Sequence, residues 1–530
     1  MELIPSSSLQ VAEAVKNSAL KYVPSHSLLS STGADWDYCA RGLHREEGLV
    51  EELTPVIHKL VENNNNSEKQ KKPILLALAA PGQGKSRFLQ ELPGLVEATG
   101  EVKKVYPFLL TFENGEKFEA DHETSPAASI ASRMLWQLLQ PVKKSGWVEA
   151  NLQPGFTFIE LRQAVGKAVG DENLNIDDVL RAVCRGENLP WSKETCILLA
   201  LDGIQAFPGF DKPTNKETFF YKSICSVCAV VSRGDGPMVI GALSATVQVG
   251  MTFALADSPQ ARHYVSLPLL DEVCRSGKKV FDFEDDVFKL LYDDMGGHGR
   301  ALEALEEATK ECSRENLDLL LAKVCSKLIE KYPSAVPENF EGILKAALSG
   351  RWLGVREQID GYDLEHLHLV KLEYNADRTQ RRIRLPYIWI YLGVTRAGTS
   401  PELAKWSLYG YKDIRTGGGT GLDFEEFCWR FRALRSSVWE DGETVTIGDL
   451  HRGALLCKGL GEIQIVNSRL ALAKSRQRFA TNGKRFLMQK GQKEKKLAST
   501  NEVVPVTDEA GNKLDVDPAY DIEATAHYLF

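Results

Sequence analysis

No apolar run in the 530-residue chain approaches the roughly 18 to 20 residues that cross a bilayer, so a membrane-spanning protein is not expected. The opening MELIPSSSLQVAEAV has neither a basic stretch nor a long apolar one, and a standard secretory leader is not expected either. Cysteine is sparse: ten residues, scattered, which argues against a disulfide scaffold and for reduced thiols in the cytoplasm or nucleus. Positive charge is not in excess. The 64 Lys and Arg stand against 72 Asp and Glu, a net −8, so the chain as a whole is no basic nucleic-acid coat. With 43% hydrophobic and 26% charged residues it is not a wholly disordered chain, and its length predicts three or four domains.

What is present is strongly patterned. Residues 1–35 are Ser-rich and read as a loose arm, and Leu49, Leu53, Val56, Ile57 and Leu60 then fall at helical spacing. ENNNNSEKQKK (62–72) is a polar linker. From residue 73, apolar runs alternate with helical patterns: PILLALAAP (73–81), VYPFLLTF (105–112), ETCILLALDG (194–203), PMVIGALSAT (237–246) and HYVSLPLL (263–270). Such runs predict an α/β fold, a parallel sheet flanked by helices on both faces. Residues 281–348 read as helices with Val287, Leu290, Leu291, Leu302 and Leu305 on apolar faces. RRIRLPYIWIYLG (381–393), after the turn-like YNADRTQ (374–380), reads as a strand of a small wing or hairpin. The expected division is an arm at 1–35, an α/β core at 36–270 with a helical insertion at about 125–190, a helical lid at 271–348, a wing-like connector at 349–420, and a basic α+β domain at 421–530.

The strongest local signal is Ala79-Ala80-Pro81-Gly82-Gln83-Gly84-Lys85-Ser86-Arg87, between an apolar strand and a helical pattern. A glycine loop there lets backbone N–H groups surround phosphates at the positive end of a helix. Lys85 would reach the β- and γ-phosphates of ATP and Ser86 would ligate Mg2+. Ala79 stands where the strict P-loop pattern has glycine, and the alternative is a helix-capping turn with an exposed lysine. Asp202 closes the apolar run ILLAL and supplies a second acid for the metal. The residue after it is Gly203, where ATPases of this type usually carry a water-orienting Glu. Gln205 and Glu113 are the substitutes, and slow hydrolysis is expected. Ser244 and Thr246 end the next strand, as γ-phosphate sensors or simple caps.

These residues resemble known families. LHREEGLVEEL (43–53) resembles the Arg-Glu box of AAA+ and STAND ATPases, YVSLPLLD (264–271) is similar to their fifth strand, and GGHGRALEAL (296–305) resembles the second sensor of their helical lid. That resemblance implies Arg300 as the γ-phosphate arginine. Lys85 and Asp202 are 117 residues apart (202 − 85), longer than a minimal core of this kind, hence the helical insertion. LLTFENGEKFEAD (109–121) and ASIASRMLWQLL (128–139) resemble the strand and the Arg-containing helix of Crinkler effectors and retrotransposon hot spot proteins. In that group a P-loop ATPase precedes a restriction-endonuclease-like domain. The resemblance spans about residues 40–305 and implies action on nucleic acid and secretion into a host cell.

Residues 469–496 hold ten Lys or Arg and one acid, so the rest of the chain carries −17 (−8 minus 9). This asymmetry suits a DNA or RNA backbone, with Phe479 and Phe486 to stack on bases; the alternatives are a solvated helix and a nuclear-import tag. Nuclease carboxylates would come from Glu426, Asp449, Glu462 with Gln464, and Asp521, but the chain ends at Phe530 inside a strand-like ATAHYLF, and an incomplete, inactive nuclease fold is expected. Cys225 and Cys228 read as buried structural thiols, His298 and His451 lack triad companions, and Trp389 reads as core. The leading function is a slow ATPase coupled to nucleic-acid binding. The alternative is a nucleotide-gated interaction switch of the STAND kind, self-associating as a homo-oligomer.

Overall fold

The five apolar runs each contain a strand of one sheet, four of them buried almost throughout and the fifth half-exposed. The computed structural model describes residues 20–24, 28, 36, 45–79, 81–113, 117–121, 123, 125–139, 157–169, 174–246, 251, 254–255, 258–267, 269–270, 272–281, 283, 286–332, 340–362, 364, 371–375, 377–396, 435–450, 462–467, 476–479 and 485–488. In it β1 (Ile74–Leu78), β2 (Val105–Thr111), β3 (Cys196–Asp202), β4 (Met238–Ala245) and β5 (Arg262–Tyr264) form one sheet in the order β2-β3-β4-β1-β5. Every neighbouring pair is parallel. The helices of this region are α1 (Arg45–Glu62), α2 (Lys85–Ala98), α3 (Pro126–Leu139), α4 (Phe158–Val169), α5 (Ile176–Gly186) and α6 (Phe219–Ser232). Because successive side chains of a strand point to opposite faces, Ile74, Leu76, Leu199 and Leu201 pack with Met134, Val179 and Val227 of α3, α5 and α6. Leu75, Ala77, Leu198 and Ala200 pack instead with Leu53, Ile57, Phe88 and Leu92 of α1 and α2. Three helices, α3 to α5, separate β2 from β3.

Beyond β5 come the short hairpin β6 (Cys274–Arg275) and β7 (Lys278–Lys279), then α7 (Asp286–Asp294), α8 (Gly299–Glu311), α9 (Leu317–Lys331) and α10 (Phe340–Ser349). Strands β8 (Leu353–Gly354), β9 (Lys371–Tyr374) and β10 (Gln380–Arg384) form an antiparallel sheet in the order β8-β10-β9, followed by α11 (Tyr387–Arg396). The chain divides into two compact units, 1–337 with 352–392, and 338–351 with 393–530. In the second, β11 (Thr444–Thr446), α12 (Ile447–Leu450) and β12 (Gln464–Val466) surround Trp439, Val445 and Leu450. Strands β13 (Arg476–Phe479) and β14 (Arg485–Met488) pair antiparallel, Arg478 opposite Phe486 and Phe479 opposite Arg485.

Several expectations need revision. The segment YIWIYLG is helical, not part of a strand: β10 stops before Pro386, and the run continues as α11 with Ile388, Trp389 and Leu392 buried. An all-apolar run is compatible with a buried helix or a buried strand, and only tertiary packing chooses. The fifth strand lasts three residues. Leu290 is 40% exposed, because the buried stripe of α7 runs through Phe288, Leu291 and Tyr292. The arm expected to be loose is tied down at residues 20–24. Tyr22 lies edge-on to Tyr106 with ring centroids 5.2 Å apart and donates its hydroxyl to the Pro107 carbonyl at 2.6 Å. Cys228 is buried as expected, its thiol pushed up to about 12 by desolvation, but Cys225 is exposed.

Candidate functional site

The chain turns from β1 into α2 through two glycines in the left-handed region, Gly82 (φ +77°) and Gly84 (φ +85°), which other residues enter only with strain. The outer side of the loop is packed. A Cβ at Gly82 would lie 2.6 Å from His298 Cε1 and 2.7 Å from Arg300 Cγ, with the Tyr332 hydroxyl at 3.0 Å. His298, buried, donates from Nε2 to the Pro81 carbonyl at 3.1 Å. Burial pushes this imidazole down to about 4, so it is neutral around pH 7. Arg300 pairs with Glu303 one turn on, at 2.6 Å.

The inner side holds charge. Lys85, buried, folds back so that Nζ donates to the Ala79 carbonyl at 2.7 Å. Desolvation pushes its ammonium down to about 8, against the upward pull of the Asp202 and Glu113 carboxylates. Ser86 donates from Oγ to Asp202 Oδ2 at 2.7 Å, and the Ser244 hydroxyl donates to Asp202 Oδ1. Asp202 is only 3% exposed, so its carboxylate is fixed between the start of α2 and the end of β4. Arg87 is not part of this group. It donates to the Trp36 carbonyl and pairs with Glu91 at 3.3 Å. Two residues along a helix is about 200° of rotation, which carries Arg87 to the far side from Lys85.

At the neighbouring strand end, β2 runs in register with β3, Thr111 opposite Asp202. This brings Glu113 beside Gly203, where a Cβ would meet Glu113 Cγ at 2.6 Å. Gly203 itself has φ +75°. Glu113 therefore fills the space that a side chain after Asp202 would need. The Gln205 amide donates to Glu113 Oε1 and to Thr246 Oγ1, the latter at 3.1 Å, while Gln205 Oε1 accepts from the Thr246 N–H at 3.1 Å. Although Glu113 reaches solvent, the chain packed around it desolvates the carboxyl and holds its pKa above the usual value; the Asp202 charge adds to this and the Gln205 bond opposes it. Arg133 of α3 positions this strand end from below. It is buried, donates to the Thr111 carbonyl at 3.2 Å, forms a two-point pair with Glu123 at 2.5 and 2.9 Å, and lies over the Phe112 ring. The Arg-containing helix singled out in the sequence thus braces the end of β2.

The partner of His298 is a backbone carbonyl, which no residue pattern displays. Ser244, at the end of β4, holds Asp202. No family model matches the chain. The chain is 28% identical over 372 residues to Crinkler effector protein 108 of Phytophthora sojae. This is a Crinkler-like relationship. The alignment takes in 65% of this chain and 42% of that protein, so the chain spans less than half the length of this curated relative.

The other sequence candidates contribute less. Asp449 accepts from the Thr446 hydroxyl at 2.7 Å and donates its N–H back to that hydroxyl at 3.0 Å, so that Thr446 caps α12, and Glu462 and Gln464 are exposed. Glu426, His451 and Asp521 lie outside the described residues. Among the described residues no group of three or more His, Cys, Asp or Glu is placed to hold a metal, and no helix is long and apolar enough to cross a membrane.

Proposed function

We propose that this chain is a P-loop protein of the AAA+/STAND kind that binds ATP with Mg2+ at residues 81–86 and hydrolyses it slowly, coupled to nucleic-acid binding through residues 469–496. One observation carries the reading: Ser86 and Asp202, 116 positions apart, meet at 2.7 Å at the helix start that carries Lys85. The residues fit the ligands. Backbone N–H groups at the start of α2 favour phosphate, and Lys85 would exchange the Ala79 carbonyl for phosphate oxygens. A hydroxyl and a carboxylate oxygen suit a hard divalent cation, which when bound offsets charge developing on the phosphates. Glu113 would orient water and take its proton. Its tie to Gln205 has to loosen first, which accounts for slow turnover.

The strand order and the packing of α8 on Gly82 support the AAA+/STAND part, with α7 to α9 as the lid and the β8-β10-β9 sheet as the wing. The Crinkler-like relationship supports an effector delivered into a host cell. The nucleotide-gated switch is favoured by one observation, that His298, Arg300 and Tyr332 lie directly on Gly82 and would respond to any loop movement. ATP turnover by the purified chain with and without DNA or RNA separates the two: stimulation supports the ATPase reading, and nucleotide-dependent self-association without stimulation supports the switch. Lys85→Ala should abolish ATP·Mg2+ binding in a folded protein, and unchanged affinity overturns both readings. Binding through residues 469–496 should weaken on the order of a thousandfold between low and moderate salt.

A further inference from the structure

Next to the glycine loop lies a cleft of about 370 Å³, within the range of small-molecule sites. It is lined by Ala79 and Gln83 of the loop, Tyr264 at the end of β5, Trp352 just before β8, Tyr374 of β9 and Arg378 of the β9–β10 turn. Arg378 is the unusual member. It sits in the β9–β10 turn at φ +56°, a conformation that glycine adopts freely and arginine does not. The turn is closed by Asn375, which accepts from the Arg378 N–H at 3.0 Å and, through its side chain, from the Gln380 N–H at 2.9 Å. A glycine would therefore serve the turn better.

The guanidinium carbon of Arg378 lies 3.5 Å from the centroid of the Tyr264 ring and 5.5 Å from that of Tyr374. Its neighbours Arg382 and Arg384 both pair with Glu373, at 2.8 and 3.0 Å. Arg378 makes no side-chain hydrogen bond or ion pair among the described residues. A planar cation stacked on a tyrosine, at the wall of a cleft and without a carboxylate, is a platform for another flat ring.

We infer that this cleft takes the nucleobase of the nucleotide whose phosphates occupy the glycine loop, with the base continuing the Tyr264–Arg378 stack. The inference rests on the phosphate-site reading and goes beyond it, because it makes the antiparallel sheet part of the nucleotide site. Contiguity favours this occupant: Ala79 and Gln83 belong to the cleft and to the loop at once.

The test is calorimetric titration of the complete chain with ATP·Mg2+ and, separately, with inorganic tripolyphosphate·Mg2+, which has the phosphates and no base. Arg378→Gly removes the stacking group while relieving the turn, so the variant should fold at least as well as the parent. ATP should bind Arg378→Gly at least about tenfold more weakly, the usual scale of a lost base stack, with tripolyphosphate unchanged. Tyr264→Ala should behave the same way. Unchanged ATP affinity in Arg378→Gly overturns the inference, as does an equal loss for both ligands, which would place Arg378 on the phosphates. If the parent binds tripolyphosphate as tightly as ATP, the cleft holds no base and the phosphate site stands. If the parent binds neither, the phosphate site itself is wrong and the inference falls with it.

Discussion

Asp202 and Glu113 are carboxylates at the ends of adjacent strands, and the fold treats them in opposite ways. Asp202 is 3% exposed, and both its oxygens accept hydroxyl hydrogens, one from Ser86 on α2 and one from Ser244 on β4. Glu113 lies just past β2, reaches solvent, and is held by the Gln205 amide. Its pKa is raised, chiefly by desolvation. A pinned acid in a fixed hydroxyl cage suits holding a cation in one place. A surface acid whose charged form is disfavoured suits passing a proton. Their closeness comes from register, since Thr111 pairs with Asp202 and delivers Glu113 to the space above Gly203.

Replacing each acid by its amide should separate these roles. Glu113→Gln should lower ATP turnover roughly a hundredfold or more, the range of a lost general base, while ATP·Mg2+ affinity stays within about threefold. Because the Glu113 pKa is raised, turnover in the parent should fall on acidification at a pH above the ordinary glutamate value, and this limb should vanish in Glu113→Gln. Asp202→Asn should instead weaken Mg2+-dependent ATP binding by about 10- to 100-fold. Steady-state turnover and titration with and without Mg2+ distinguish the two. Equal effects of the two variants on binding would erase the division of labour.

Gly203→Glu sharpens the same contrast. An acid in this position looks like a restoration from sequence alone. The structure predicts a loss, because φ is +75° and the new Cβ would lie 2.6 Å from Glu113 Cγ. Strain and displacement together should cost about 3 kcal/mol, read as a lowered midpoint in denaturant without faster turnover. A stable, faster variant would mean that Glu113 does not occupy that space.

The buried strands were legible because a strand covered on both faces must be apolar throughout, and the turn into α2 at Lys85 and Ser86 because a glycine-rich link between strand and helix is a contiguous pattern. Asp202 followed from the apolar run that it closes. Glu113 was legible only as one candidate of two, since the adjacency of β2 and β3 is absent from residue spacing. The direction of the Arg87 side chain is absent from a linear string, because the helix begins at Lys85 and turns Arg87 toward the Trp36 carbonyl. The packing of Tyr332 and His298 on Gly82 joins positions more than 200 apart and has no local signature. The helix at Tyr387–Arg396 was hidden for a different reason: an apolar run with no polar face has no period to read.

The smallest effects concern the hydroxyls behind each acid. Ser244 is fully buried and donates directly to Asp202, while Thr246, one strand step beyond Ala245, hydrogen-bonds to Gln205. Ser244→Ala should therefore cost about 2 kcal/mol of stability, the scale of a hydrogen bond to a buried charge, and should weaken Mg2+-dependent binding in the same direction as Asp202→Asn. Thr246→Val keeps the shape and removes one neutral hydrogen bond, leaving its backbone N–H on Gln205 Oε1. Its cost should be nearer 1 kcal/mol, with ATP affinity unchanged. Turnover should respond more than binding, because a looser Gln205 frees Glu113: the rate should rise by up to a few-fold, opposite in sign to Glu113→Gln. A rate that falls in Thr246→Val would mean that the Gln205 tie positions Glu113 for the reaction instead of restraining it, and slow turnover would then need another cause.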